Sequence, residues 1–507
     1  MKTTFRALVA VALLGGFYLL VALIVVGAVV LDIAVIQRGG DGLQAAVILT
    51  LAALALIRAL IVVSIQQSGE PPGIEVTPDD EPVLWQTVNE LAEQVQTAPP
   101  DEIRIVGDVN AAVSEDTKFL GLKATRRRMY IGMPLLTTMT VDEMRSILGH
   151  ELGHYSGSHT RLGAPVYRGR TSLIATVQGL EKHPFVRRIF VGYAKFFFRV
   201  SQSVSRRQEL EADQHSVTIA GRAAASSALR KVHGLAPAWD YFIENYARLI
   251  GPANARPADM FGGFHSLVSD PVRQREMAAM ISEQGGHSPY DSHPSLPDRL
   301  ANIERQPDQP ITPDERPAIM LLRDPSTATQ TATTWFLSEE ALAMPAVSWE
   351  DIVARGMYVV SNRNPAADLA ILGQRLLGAA QPTLDAAFEV MLRGQAEELR
   401  TALVQVEGWP DDPRLLDHLI ARALEAALIE HGSAYWALSW SSSPRLLDTN
   451  GNEIKLDEFA ASIVADPGSQ IPAVRDWLAR SGIGVDYVPS FALDPARPSA
   501  PVPETTT

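Results

Sequence analysis

The stretch TVDEMRSILGHELGH, residues 140–154, governs the reading of the whole chain. Thr140 followed three residues later by Glu143 is a capping box, which predicts a helix starting at Val141. Residues four apart on a helix share a face, so His150 and His154 offer two imidazoles to one ion. Glu151 is offset by one residue, which lets its carboxylate reach a water on that ion rather than become a ligand. Zinc suits such a set, one ion per chain: it accepts imidazole and carboxylate, tolerates an open fourth position and lowers the pKa of its water to about 7. The chain has no cysteine, so disulfides, thiolate ligands and cysteine nucleophiles are all excluded.

A catalytic ion needs a third ligand. The run from His150 follows the metzincin pattern as far as Gly157, but position 160 is Thr and the histidine stands at 159. One residue moves a ligand by several ångströms, which leaves His159 a structural role or one behind a ligand. Further on, SRRQELEAD at 205–213 places Glu209 and Asp213 on one helical face and turns Glu211 about 200° away. That pairing suits Glu209 as a ligand, with Asp213 beneath it accepting an imidazole N–H. The competing reading is a surface helix laced with Arg and Glu.

The set of motifs resembles the HtpX-like membrane zinc peptidases, the gluzincin group that also contains the CAAX prenyl endopeptidases. The residues that carry the resemblance are His150-Glu151-Leu152-Gly153-His154, Ser205-Arg206 with Glu209, Ala212 and Asp213, Asn110-Ala111, and His293-Pro294-Ser295 with Arg299. It covers roughly 80–305. It implies His150, His154 and Glu209 as zinc ligands, Glu151 as general base, Asp213 as support for a ligand, and His293 as stabiliser of the tetrahedral oxyanion. It implies protein or peptide substrates, taken up as an added strand near Asn110–Asp116. The chain departs from the pattern in having no further convincing span between the two halves of the zinc site. In that place Pro184–Arg207 reads as an amphipathic helix, with Arg187, Arg188, Lys195, Arg199 and Arg206 on one side and aromatic residues on the other. Such a helix either lies on an anionic leaflet or packs its aromatic face on the catalytic core.

Towards the N-terminus, residues 7–31 carry no charge, and 42–64 carry only Arg58. Each run is long enough to cross about 30 Å of hydrocarbon. Lys2 and Arg6 favour a cytoplasmic N-terminus, so a two-helix transmembrane hairpin over 1–70 returns the remaining chain to the cytoplasm. The expected fold class is mainly α (α+β): that hairpin, a gluzincin-type zinc peptidase domain with a small β-sheet over 71–305, and a mostly helical domain over 335–488. Within the peptidase domain, Glu102–Val106 and Arg128–Ile131 read as strands, with part of the intervening segment extended. The Pro-, Asp- and Thr-rich segment 306–334 reads as a linker, and 489–507 as a disordered tail.

Net charge is -14, which argues against nucleic-acid binding. Most of it is local: residues 320–507 hold 13 basic and 25 acidic residues, and the rest of the chain is near neutral. The expectation is a multi-pass protein of the cell membrane, in bacteria the inner membrane. It hydrolyses peptide bonds of membrane or membrane-proximal proteins, with a place in protein quality control. The alternative is a zinc-stabilised membrane scaffold that recruits partners through its acidic C-terminal domain, with little or no proteolysis.

Overall fold

The computed structural model describes residues 2–37, 71–118, 123–155, 184–283, 294–308 and 310–493, together with isolated positions within 44–54 and at 173 and 177. It divides into two units, residues 1–239 with 274–336, and 240–273 with 337–507.

The first unit opens with α1 (Lys2–Gln37), within which Gly15–Gln37 is long and apolar enough to cross a membrane. Leu19, Leu23, Val30 and Ile36 are exposed on it. The expected second span falls mostly outside the described residues. Within it Val47, Thr50 and Leu51 are helical, and Thr50 Oγ1 donates to Asp32 of α1 at 2.7 Å.

Four strands follow: β1 (Ile74–Val76), β2 (Glu102–Val106), β3 (Ala111–Lys118) and β4 (Lys123–Gly132), in the order β1-β2-β4-β3. β2 runs parallel to β4, and the other two pairings are antiparallel. Ile103 and Ile105 enter the core, while Glu102 gathers Arg104, Arg126 and Arg128 at 2.6, 3.1 and 2.8 Å on the other face. β3 is an edge. Gly132 donates its N–H to the Asn110 carbonyl, so by alternation Ala111, Val113 and Glu115 turn their backbone groups away from β4.

Helix α2 (Pro82–Gln94) precedes β2, and the short α3 (Met133–Thr138) leads from β4 to α4 (Val141–Gly153). Both bonds of the capping box are present, Glu143 N–H to Thr140 Oγ1 at 3.3 Å and Thr140 N–H to Glu143 Oε2 at 2.9 Å. Met144, Leu148 and Leu152 bury one face of α4, at about 1.5–3 kcal/mol each. The opposite face meets α5 (Pro184–Asn245), a long helix interrupted at Gly221, whose φ of 78° is open to glycine without strain.

Part of the aromatic face of the amphipathic segment at the start of α5 is buried, and its partner is α1, while Phe196 stays exposed. Phe190, Ala194 and Phe197 pack with Phe17, Val21 and Leu173, and the Tyr193 hydroxyl donates to the Leu13 carbonyl. Arg187, Arg188, Lys195 and Arg199 stay exposed.

The segment 306–334 is not a free linker. Val141 N–H donates to the Arg316 carbonyl and Ala318 N–H to Met139, which ties the segment to the start of α4. Ala318, Leu321 and Leu322 are buried, and Pro325–Phe336 is a helix whose first turn is capped by Asp324. Its Pro and Asp content reflects a tied-down extended segment and a cap, two uses that composition does not separate from a linker.

The second unit groups residues 240–273 with 337–507 by contact, and in it Phe242, Tyr246 and Phe264 build one aromatic cluster with Trp349 and Trp440. Around helix Trp349–Leu377 pack Leu384–Leu392, Ala396–Glu407 and Leu415–Glu430, whose Leu and Ala side chains form the core. Of the expected tail, Ser490–Leu493 is a short 3-10 turn held by Glu430, and 494–507 lies outside the described residues.

Candidate metal centre

Helices α4 and α5 run antiparallel and are joined by a ladder of polar contacts. From the N-terminal end of α4, Glu143 takes hydrogen bonds from Lys231 at 2.7 Å and Ser227 at 2.6 Å, and the Ser146 carbonyl takes one from Ser216 at 2.9 Å. The next rungs are His150 with Asp213, then His154 with Glu209. Two glycines make the approach close enough: a Cβ on Gly149 would meet Ile219 Cδ1 at 2.1 Å, and one on Gly153 would meet His215 Cδ2 at 2.8 Å.

At the end of this ladder the donor atoms of His150, His154 and Glu209 all lie within 4.8 Å of one another. Nε2 of His150 is 3.6 Å from one Glu209 oxygen, and Nε2 of His154 is 3.7 Å from the other. The two rings stand nearly perpendicular, at 88°. Tetrahedral zinc with bonds of about 2.0–2.1 Å sets neighbouring ligand atoms about 3.3 Å apart. Two His–Glu pairs are near that spacing, each to a different Glu209 oxygen, and with one atom from each residue the set spans up to 4.8 Å, so the three side chains would close in around such an ion.

The other nitrogen of His150 points the opposite way. Nδ1 lies 3.3 Å from Asp213 Oδ1, which fixes Nε2 as the nitrogen facing Glu209 and His154. Asp213 is in turn gripped by both arms of Arg299, at 2.6 and 3.1 Å, and Arg299 Nη1 comes within 3.5 Å of Glu209. Burial works to raise the Asp213 carboxyl, but the hydrogen bonds from His150 and Arg299 outweigh it and hold it below the usual carboxylate range. Burial likewise disfavours the imidazolium of His150, yet Asp213 and Glu209 prevail and push it up to about 9. A cation is what these carboxylates favour, and a metal ion competes for the same place.

Glu151 follows His150 on the last turn of α4 and is half-buried. Glu211 turns to the opposite side of α5 and bonds Arg207 at 2.8 Å, as the helical spacing anticipates. Arg299 reaches the centre from α6 (Leu296–Glu304), capped by Ser295. Its contact with Asp213 is not visible in the sequence, because 86 residues separate them. The only signal for it there is the His-Pro-Ser segment with its following arginine. His293 and His159 lie outside the described residues.

Two histidines and a glutamate from antiparallel helices, backed by a carboxylate and an arginine, agree with the comparison to known families: residues 78–306 match Peptidase family M48. That segment, just under half of the chain, is similar to the M48 metallopeptidases. The M48 match contains every residue of the centre. A curated relative, "Protease HtpX homolog 1" of Sulfurisphaera tokodaii, is 30% identical over 133 residues, which is 26% of this chain and 39% of the relative. The chain thus spans well under half the length of that relative. No solved structure matches.

Proposed function

We propose that this chain is a membrane-anchored zinc endopeptidase that hydrolyses peptide bonds of membrane or membrane-proximal proteins. The observation that carries the reading is the convergence of His150, His154 and Glu209 beside Glu151, with Asp213 and Arg299 behind them.

His150, His154 and Glu209 are the residues that would hold the metal. Zinc bound there would supply Lewis acidity, making a water nucleophilic near neutral pH and polarising the scissile carbonyl. Asp213 keeps the His150 ring in the orientation that frees Nε2, and Arg299 keeps Asp213 ionised. Glu151 takes the proton from the attacking water and passes it to the departing amine. His293 donates to the developing oxyanion, the role that the HtpX-like resemblance assigns it. The substrate lies as an added strand on the free edge of β3, whose outward backbone groups at Ala111 and Val113 are the partners it needs.

The anchor is α1 together with the apolar stretch 42–64 as a transmembrane hairpin, with the peptidase on the cytoplasmic side and a task in protein quality control. The basic residues Lys2 and Arg6 ahead of the first span support that orientation. Comparative membrane proteomics of cells carrying wild type or Glu151→Gln tests the reading. Uncut membrane proteins accumulate in the mutant alone, and purified Glu151→Gln is inactive although it retains metal. Full proteolysis by Glu151→Gln overturns it.

A further inference from the structure

The free edge of β3 is not bare. Tyr155, the residue after His154, donates its hydroxyl to the Val113 carbonyl at 2.6 Å. Val113 is one of the residues whose backbone groups alternate away from β4, so this carbonyl is among those an added strand would use.

The tyrosine is held there by two further contacts. Its own carbonyl accepts from Thr97 Oγ1 at 3.0 Å, and the Arg127 guanidinium stacks 4.8 Å from its ring centre. Arg127 is fixed in turn by Glu115 at 2.9 Å, Thr97 Oγ1 at 3.1 Å and the Ala98 carbonyl at 2.5 Å. The phenol is thus a preorganised, uncharged donor beside the metal centre. It satisfies an edge acceptor that β3 otherwise offers to a partner strand.

We infer that Tyr155 is a latch on the substrate edge. Its hydroxyl competes with one peptide N–H for the Val113 carbonyl, so an incoming strand has to displace it or bind without that bond. The inference rests on the peptidase reading and on strand addition at β3. Its consequence is a specificity rule: a substrate with no N–H at the residue opposite Val113, a proline for example, loses little, because the phenol keeps the carbonyl satisfied. Ordinary substrates gain correspondingly little from that one position.

The test uses the detergent-solubilised full chain carrying Glu151→Gln, so that binding is read without cleavage. The probe is a fluorescent casein-derived decapeptide and its set of single N-methylated analogues. Tyr155→Phe keeps the ring and its stacking on Arg127 and removes only the hydroxyl. Expected is a Kd about 2- to 10-fold lower for the unmodified peptide, the range of one hydrogen bond. At one backbone position, N-methylation then weakens binding more in Tyr155→Phe than in its parent. In the cleaving chain the same substitution lowers KM.

An unchanged or higher Kd, or N-methylation penalties equal in the two chains at every position, overturns the latch. Failure of the peptidase reading shows separately, as cleavage by wild type no greater than by Glu151→Gln.

Discussion

Asp213 and Arg299 back the candidate metal centre without belonging to its three donor side chains. A carboxylate on the far nitrogen of a ligand histidine raises the ligand's basicity and fixes its ring. Here the carboxylate is itself held by a bidentate arginine from a separate helix. Asp213→Asn keeps the shape and removes the charge. Metal affinity, read by chelator competition, is expected to fall about 10- to 100-fold; an unchanged affinity refutes the supporting role. At this scale the sequence is half legible. His150, Glu151 and His154 are read from spacing alone, because four residues along a helix fix their relation. The face shared by Glu209 and Asp213 is also readable, whereas the arginine that grips Asp213 is not, because nothing in the local text near 299 refers to 213.

Among the elements, α4 is the best anticipated and the most demanding of its neighbours. Its start at Val141 follows from the capping box, and β2 spans Glu102–Val106 as its text suggests. What the α4 text does not announce is why Gly149 and Gly153 stand four apart: they let α5 approach until Glu209 reaches the two histidines. Gly153→Ala forces a Cβ against the His215 ring, with an expected cost of about 1–3 kcal/mol and a loss of metal affinity. Thr140→Ala, at the far end of the same helix, costs about 1 kcal/mol of stability and spares the metal centre. Denaturant unfolding and metal titration of the two variants check the contrast; equal metal affinities in both sink it. The segments misjudged from composition share one cause. A Pro- and Asp-rich stretch reads alike whether it is free or tied across α4, and an aromatic helix face does not say which surface will cover it.

For the whole molecule, the two units have distinct interiors, and the second carries its own titration. Glu425 is buried, and burial outweighs the favourable Arg422 at 3.0 Å and the Asn362 hydrogen bond, so its carboxyl is raised from 4.5 to about 7. Between those values the folded chain keeps a proton that the unfolded chain has lost. Stability of the second unit therefore falls as pH rises from 4.5 to about 7 and levels off above it, by roughly 3 kcal/mol in all. Glu425→Gln is expected to abolish that slope and to stabilise the unit at pH 8, as measured by unfolding of the solubilised full chain; a slope that persists in the variant overturns the assignment.

By itself the sequence determined what is local or compositional. It carries the apolar run of α1, the capped helix with paired histidines, the strand texts, the absence of thiolate chemistry and the acidic bias of the C-terminal region. These follow from periodicity, spacing and charge, which act over one or two turns of chain. The tertiary structure alone decided which distant groups meet: Arg299 on Asp213, Tyr155 on the edge of β3, Phe190 and Phe197 on α1, and residues 240–273 among the aromatic side chains of the second unit. Those pairings depend on which buried surfaces fit one another, and that is a property of packing rather than of any window of sequence.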